Sequence, residues 1–257
     1  MKRIFVIFTM LVICMSSTVF AGGSASKGSA APESAEPAKA TVMVYEGNFV
    51  QIPGGSFTMG GGHLYGTEPR KDPWPEVTVS TFYMAVLQVT QREYEAVMGK
   101  NPSFGGGPDW AVEGVSWFEA LEYCNTVSRR EGLTPAYTIN GENVTWNRSA
   151  NGYRLPTDAE WEYAAKAPGV QWTNPDHPWG LRQMPGDYWE WAWDWYDTIP
   201  AGTFTDPDGP ASGKHRVMRG GPYAVCEPRG VAITMRDHDF PVNGSFHFGF
   251  RVVRSSM

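Results

Sequence analysis

Three stretches of the chain repeat apolar residues with the period of an α-helix. Each begins with Thr or Ser followed three residues later by Glu, the capping-box pattern in which side chain and backbone satisfy one another's hydrogen bonds. Glycines follow the first two stretches, as is typical of helix ends. The pattern therefore predicts helices over residues 91–98, 117–131 and 158–166.

Shorter apolar or alternating runs indicate strands. Strands are expected over 42–50 and 77–82, and Asn140-Gly141 between two further runs predicts a β-hairpin with a type I′ turn. After residue 167 the periodicity fades and turn residues dominate. The chain is therefore expected to form a compact domain with much ordered loop.

The segment Gly186 to Tyr196 contains four tryptophans at alternating positions. Alternation puts all four on one face of an extended strand, which favours a strand of the core over the alternative, a platform that stacks sugars. Glu190 and Asp194 fall on the opposite face. They are expected to pair with an arginine such as Arg154, with cation binding as the alternative.

The N-terminus has the pattern of an export signal. A short basic start precedes the apolar run 4–15, which is too short to cross a bilayer. Residues 1–21 are therefore predicted to be a signal peptide cleaved after Ala21. The alternative is a lipoprotein signal ending before Cys14, whose lipid would be the protein's only membrane attachment. Either predicts export, to a bacterial cell surface, the outer membrane or the periplasm.

Residues 22–41 contain no aromatic or large aliphatic side chain, so they are expected to be a disordered tether or a tail without a role. Residues 42–257 are then a single domain.

The charge of the chain argues against one class of function. The net charge is −6 and no run of Lys or Arg occurs, which disfavours nucleic-acid binding.

Cysteine and histidine spacings favour neither a disulfide scaffold nor a zinc site. The chain has three cysteines, and after export only Cys124 and Cys226 remain if cleavage follows Ala21. Cys124 lies on the apolar face of the second predicted helix and is expected to be buried, whereas Cys226 lies in a predicted loop. The five histidines are scattered, without the spacing of a zinc site.

Seven motifs in order carry a family resemblance. They are Pro53 to Gly60, Val115-Ser116-Trp117, Arg154 to Ala165, Pro178-Trp179-Gly180, Gly186 to Tyr196, Arg216 to Gly221 and Gly249-Phe250-Arg251. Together they resemble the formylglycine-generating-enzyme (sulfatase-modifying factor) domain over residues 46–254. The resemblance implies an α+β, C-type-lectin-like fold of the formylglycine-generating-enzyme type, loop-rich, with few helices and short antiparallel strands.

The pair of copper-binding cysteines of that family is not matched in this chain. Its enzymes bind copper through two cysteines shortly after the Arg-Gly-Gly motif, but residues 222–230 contain only Cys226. The chain is therefore expected not to be an enzyme. The alternative is a formylglycine-generating-type oxidase, or another enzyme of this fold acting on sulfatase-like protein substrates.

The family's calcium site is matched weakly and no cofactor is expected. Only one charged ligand, Glu190, stands among the matching positions, while Ca²⁺ prefers several charged oxygens. Calcium therefore stays as an alternative, and the resemblance assigns it to Gln183, Gly186, Tyr188 and Glu190.

Residues 222–247 lie between two strongly patterned segments, 216–221 and 249–254, and themselves lack periodicity. They mix aromatic and small polar residues, as adaptable binding surfaces do. The alternative is a solvated loop. Ligand-binding candidates are Tyr223, Val225, Arg229, Asp237, His238, Asp239, Phe240, Asn243, Phe246 and His247.

The same arrangement resembles the variable proteins of bacterial diversity-generating retroelements. Those proteins use this lectin-like fold and end in Arg-Gly-Gly and Gly-Phe-Arg-Val-Val-Arg with the variable residues between, as at 219–221 and 249–254 here. Randomised asparagine codons cannot give Lys, Gln, Glu, Met or Trp, and of these residue types 222–247 contains only Glu227 and Met235, which are expected to be fixed. The resemblance implies an exported protein that binds a protein or glycan ligand on another cell or host surface. A third alternative is a structural envelope domain that binds nothing.

Overall fold

The computed structural model describes residues 49–61, 72–168, 177–184, 186, 188–221 and 233–256. These residues belong to one compact unit within Val42–Met257. Within the described ranges the chain forms three helices and twelve short strands, which confirms the predicted α+β class. None of the described helices has the length and hydrophobicity required for a membrane span.

The three predicted helices are present. They are α1 (Gln91–Met98), α2 (Trp117–Arg130) and α3 (Asp158–Ala165), the last two ending one residue earlier than predicted. Each begins with the expected capping box, formed by Thr90, Ser116 and Thr157 with the glutamate three residues on. Such a cap contributes about 1 kcal/mol to helix stability. Local sequence alone therefore determines where these helices begin.

The strands, in chain order, are β1 (Phe49–Ile52), β2 (Gly55–Thr58), β3 (Glu76–Val79), β4 (Phe82–Ala85), β5 (Tyr137–Asn140), β6 (Asn143–Trp146), β7 (Trp189–Trp195), β8 (Thr203–Thr205), β9 (Arg216–Arg219), β10 (Asp237–Asp239), β11 (Phe248–Gly249) and β12 (Val253–Ser255). Their sheets have the orders β1-β4-β12, β10-β9-β7-β11 and β2-β3-β8, and β5 pairs with β6 as the predicted hairpin.

Two strand predictions need correction. The run 77–82 is two strands rather than one, because the backbone N–H and hydroxyl of Ser80 bind the Asp206 carboxylate and the chain passes from one sheet to another there. Nor are all pairings antiparallel, since β8 runs parallel to β3 and β11 runs parallel to β7. Parallel pairing joins strands far apart in sequence, so local patterns do not reveal it. Residues 42–48 of the first predicted strand lie outside the described residues.

Strand β7 lies inside the protein, as predicted. Trp189 and Trp191 are buried, and the indole N–H of Trp191 donates to the carbonyl of Val115 at 2.8 Å. Trp193 and Trp195 are half-buried and pack against Trp117. The opposite face of β7 is buried too, including Glu190 and Asp194. The strand therefore supports the neighbouring β9 and β11 from the centre of the sheet.

Buried ion pairs hold the motif segments together. Arg219 of β9 contacts two carboxylates of α3, Asp158 and Glu162, and all three side chains are buried. Arg154 binds Glu160 through two hydrogen bonds of 2.7 Å. Removing one partner of such a pair is costly, because it leaves an uncompensated charge in a medium of low polarity. The two pairs of Arg219 therefore fix β9 against α3, and the pair of Arg154 fixes the segment that precedes α3.

Candidate binding face at the edge of the central sheet

Seven of the ten predicted ligand-binding residues are described, and they form the surface called here the binding face. Tyr223, Val225 and Arg229 lie outside the described residues. The members of the binding face are Asp237, His238, Asp239, Phe240, Asn243, Phe246 and His247. All seven lie in β10 or in the loop that leads from β10 to β11.

Among the described strands, β10 lies at the edge of its sheet and pairs with β9. The pairing is antiparallel and sets His238 opposite Val217 and Asp239 opposite Arg216. All four residues of β9 are buried, whereas His238 and Phe240 are exposed, Phe240 by 49%. The exposed side chains therefore stand on a strand whose inner neighbour is held rigidly.

A group of aromatic rings surrounds His238. Its imidazole lies 4.1 Å from the ring centre of Tyr196 and 4.6 Å from that of His215, which in turn lies 4.4 Å from Phe240. The backbone N–H of Tyr196 donates to the His215 carbonyl, so the two residues are held side by side. Sequence reasoning missed both, because they precede residue 222; the signal that could have found them is that they flank β7 and β9.

Asp239 and Asn243 shape the loop that follows β10. The Asp239 carboxylate accepts from the backbone N–H of Phe240 at 2.6 Å and from the side-chain amide of Asn243 at 2.8 Å. The Asn243 N–H also donates to the carbonyl of Phe240. One Asp239 oxygen is thus engaged within the loop, and the turn it stabilises presents Phe240 to solvent.

The end of the binding face is attached to the segment before α2 through Glu113. Its carboxylate accepts from the backbone N–H of His247 and, through its other oxygen, from that of Phe104, both at 3.2 Å. Phe246 is 60% exposed and Phe104 is 74% exposed. Glu113 therefore holds together two loops that each present an aromatic ring to solvent, and Phe104 is a third residue that the sequence did not predict.

Backbone packing fixes the return of the chain into β11. His247 has a φ of +87°, which is rare for a residue with a side chain, and its carbonyl accepts from Trp189 N–H at 2.7 Å. Two residues later, a Cβ on Gly249 would lie 2.6 Å from the carbonyl oxygen of Val112, so only glycine fits there. The binding face consequently ends at a fixed point.

Among the calcium candidates, the charged residue Glu190 is bound by neighbouring side chains. Both oxygens of Glu190 accept hydrogen bonds from Arg251, and they also accept from Gln88 and from the Trp161 indole. The Arg251 guanidinium further donates to the carbonyls of Arg182 and Gln183. The charge partner of Glu190 is thus Arg251 and not Arg154, which corrects the prediction.

Among the described residues Asp194 forms no close ion pair with an arginine, although the charges of Arg216 and Arg236 act on it. One of its oxygens accepts from the backbone N–H of Asp158 at 2.8 Å. Burial and the neighbouring carboxylate of Asp158 raise the pKa of Asp194 well above its ordinary value. The pKa of Asp158 is instead below its ordinary value. Burial alone would raise it, but the charges of Arg219 and Arg236 outweigh that effect.

Of the two cysteines of the domain, Cys124 is among the described residues. Cys124 lies in the core on α2, as predicted, and burial raises the pKa of its thiol. A buried thiol of this kind is unreactive. Cys226 lies outside the described residues.

Comparison with known proteins relates this geometry to a family. The model of the sulfatase-modifying factor enzyme 1-like domain matches residues 33–176 and 170–256. The formylglycine-generating enzyme of Bos taurus is 25% identical over 79% of this chain and 73% of the enzyme. The chaperone protein LppX of Paenibacillus barcinonensis is 41% identical over 45% of this chain, which spans about half (51%) of that relative.

Among solved structures, variable protein 1 of Treponema denticola superposes with a TM-score of 0.67 and 26% sequence identity, covering 81% of this chain and 95% of that chain. Both resemblances noted in the sequence are thus confirmed. So is the C-type-lectin-like fold of the formylglycine-generating-enzyme type, built from few helices and short strands.

Proposed function

Because the chain belongs to the family of sulfatase-modifying factor enzyme 1-like domains, we propose that it uses this fold as a non-catalytic scaffold for binding. The ligand is a protein or glycan on another cell or host surface. It is recognised by residues 222–247, of which the binding face is the described part. The protein is exported, either by the signal peptide 1–21 or by a lipoprotein signal that ends before a lipidated Cys14, and it requires no cofactor.

The observation that carries this proposal is the contrast between adjoining strands at one sheet edge. Strand β9 is wholly buried, while the residues that follow β10 expose Phe240, Val242 and Phe246. Exposed aromatic residues on a fixed backbone are the usual anchors of protein recognition, because they bury much surface at little cost in conformational entropy. The structural similarity to a protein named variable supports variation of residues 222–247 between copies.

The proposal is tested by selection from a library. Codons 237–240, 242, 243 and 246 are diversified in a displayed form of the full chain, and the library is selected against hen lysozyme and maltose-binding protein as model ligands. Folded variants that bind each ligand through the new side chains are expected. Failure to obtain any binder, from a library whose members fold, would contradict the proposal.

A second test lies in the neighbouring DNA. A diversified binding segment requires a reverse-transcriptase gene and a near-copy of the codons for residues 216–254 close to the gene. Their presence is expected, and a neighbourhood that lacks both would contradict variation of this segment.

An enzymatic function is the second candidate, since the relatives include formylglycine-generating enzymes that cover most of this chain. The test is the substitution Cys226→Ser, assayed with Cu(I) and a cysteine-containing sulfatase peptide. We expect no oxidation of the peptide cysteine by either form, because the chain offers one thiol where copper needs two. Copper-dependent oxidation that is lost in the Ser variant would favour the enzyme.

A further inference from the structure

A second candidate ligand site lies in a cleft of about 430 Å³, which falls within the usual size of small-molecule sites. None of the binding-face residues lines it. Its walls are largely apolar, whereas Asp158 and Asp194 contribute buried carboxyl groups. The apolar residues that line the cleft include Met59, Val77, Ile199, Phe204, Pro207 and Pro210.

The two carboxyl groups differ in how fully nearby positive charges neutralise them. Asp158 contacts Arg219 and also Arg236, whose nitrogen lies 2.7 Å from it. Arg236 donates in addition to the carbonyl of Asp197 at 2.7 Å. The cationic groups around the cleft are therefore already bound to Asp158 and to the backbone.

Asp194 is the less compensated of the two carboxyl groups, because Arg216 and Arg236 act on it through their charges without forming a close ion pair. It accepts from one backbone N–H, and no described residue forms an ion pair with it. Gly209, at a φ of +80°, packs over it, and a Cβ there would lie 2.8 Å from the Asp194 Cβ. Gly209 therefore packs tightly against the side chain of Asp194, and a side chain at position 209 would collide with it. The raised pKa of Asp194, caused by burial and by Asp158, agrees with its weak compensation.

We propose that the cleft binds a small apolar amine, with the ammonium group on Asp194 and the apolar part against Ile199 and Phe204. A buried carboxylate in an apolar wall attracts a cation strongly, because little solvent screens the pair. An anionic ligand lacks a partner, since Arg236 is engaged. This inference does not depend on the proposed function of the binding face.

Titration of the full chain with benzylamine, followed by calorimetry, tests the proposal, with benzyl alcohol as the uncharged probe of matched shape. Benzylamine is expected to bind at least about tenfold more tightly than the alcohol, as is typical of a buried charge pair. Asp194→Asn retains an oxygen acceptor for Asp158 N–H and should reduce amine affinity to that of the alcohol. Alcohol affinity should not change.

The pH dependence gives a second readout. The charged groups that act on Asp194 are Asp158, Asp208, Arg236 and Arg216. An ammonium ion binds the ionised form of Asp194, so benzylamine affinity should increase as the pH is raised from 5 towards the pKa of that group, by up to about tenfold per pH unit. The affinity of benzyl alcohol should not follow this trend.

Two variants complete the design. Ile199→Trp fills the cleft and should abolish binding of both probes, and it serves as the test if the Asn variant does not fold. Phe240→Ala, on the binding face, should leave benzylamine affinity unchanged. Equal affinity for amine and alcohol, or no saturable binding of the amine up to about 10 mM, would overturn the proposal.

Discussion

Strand β9 and the binding face adjoin in the same sheet but are held by different interactions. The side chains of β9 are all buried, and Arg219 joins two carboxylates of α3. The binding face is held mainly through its backbone, by pairing to β9, by Glu113 and by Trp189. The difference teaches that buried side chains determine the structure of β9, whereas backbone contacts and the Asp239–Asn243 hydrogen bond hold the binding face, so the exposed side chains of that face can vary freely.

The largest effect is expected where the buried charges meet. Arg219→Ala leaves Asp158 and Glu162 without their shared partner, so the free energy of unfolding should fall by about 4 kcal/mol. Urea denaturation measures it. The control is Arg92→Ala, which breaks the exposed pair with Asp109 and should cost less than about 1 kcal/mol. Equal losses in the two variants would contradict the role given to Arg219.

Glu190→Gln should be the next most damaging change. It leaves the buried guanidinium of Arg251 without a counter-charge, and a loss of about 3 kcal/mol is expected. Because Arg251 neutralises Glu190, adding calcium to the native protein should not raise its melting temperature. A melting temperature that rises with calcium and no longer does so in the Gln variant would show that Glu190 binds the ion.

Asp194→Asn is expected to stabilise the protein at neutral pH. The pKa of Asp194 is raised on folding, so its unfavourable contribution begins above the ordinary pKa of 3.8, where only the unfolded state ionises. The native free energy of unfolding then falls with increasing pH by up to about 1.4 kcal/mol per unit from this group. The gain in the Asn variant should be seen at pH 7 and vanish near pH 4. A gain that does not depend on pH would contradict the assignment.

The smallest effects on stability are expected on the binding face. Phe240→Ala and Phe246→Ala remove exposed rings, so each should change the free energy of unfolding by less than about 0.5 kcal/mol. Thermal unfolding measures it. Phe250→Ala, in the core beside Tyr94 and Tyr123, is the matched control and should cost about 3 kcal/mol or more. A comparable loss at Phe240 would show that the ring supports the fold.

The sequence predicted the features that depend on near neighbours. The three helix starts follow from Thr90, Ser116 and Thr157 with a glutamate three residues away, and the hairpin follows from Asn140-Gly141. The buried tryptophan strand was also predictable, because alternation defines its faces.

Contacts between distant parts of the chain could not be predicted in this way. Glu190 pairs with Arg251, 61 residues away, rather than with Arg154. His215 and Tyr196 join His238 only because β9 lies between β7 and β10. Charge and aromatic type indicate that such residues need partners, but the sheet order decides which partners they meet.

The most direct test of the central claim is the stability of many chains with a randomised binding face. The exposed residues His238, Phe240 and Phe246 of the binding face and the neighbouring Val242 are varied together in one set, and the four residues of β9 in a matched set. Most chains of the first set should unfold cooperatively within about 1 kcal/mol of the native protein, whereas few of the second should fold. If the two sets lose stability equally often, the binding face is part of the folding core and the proposed scaffold is wrong.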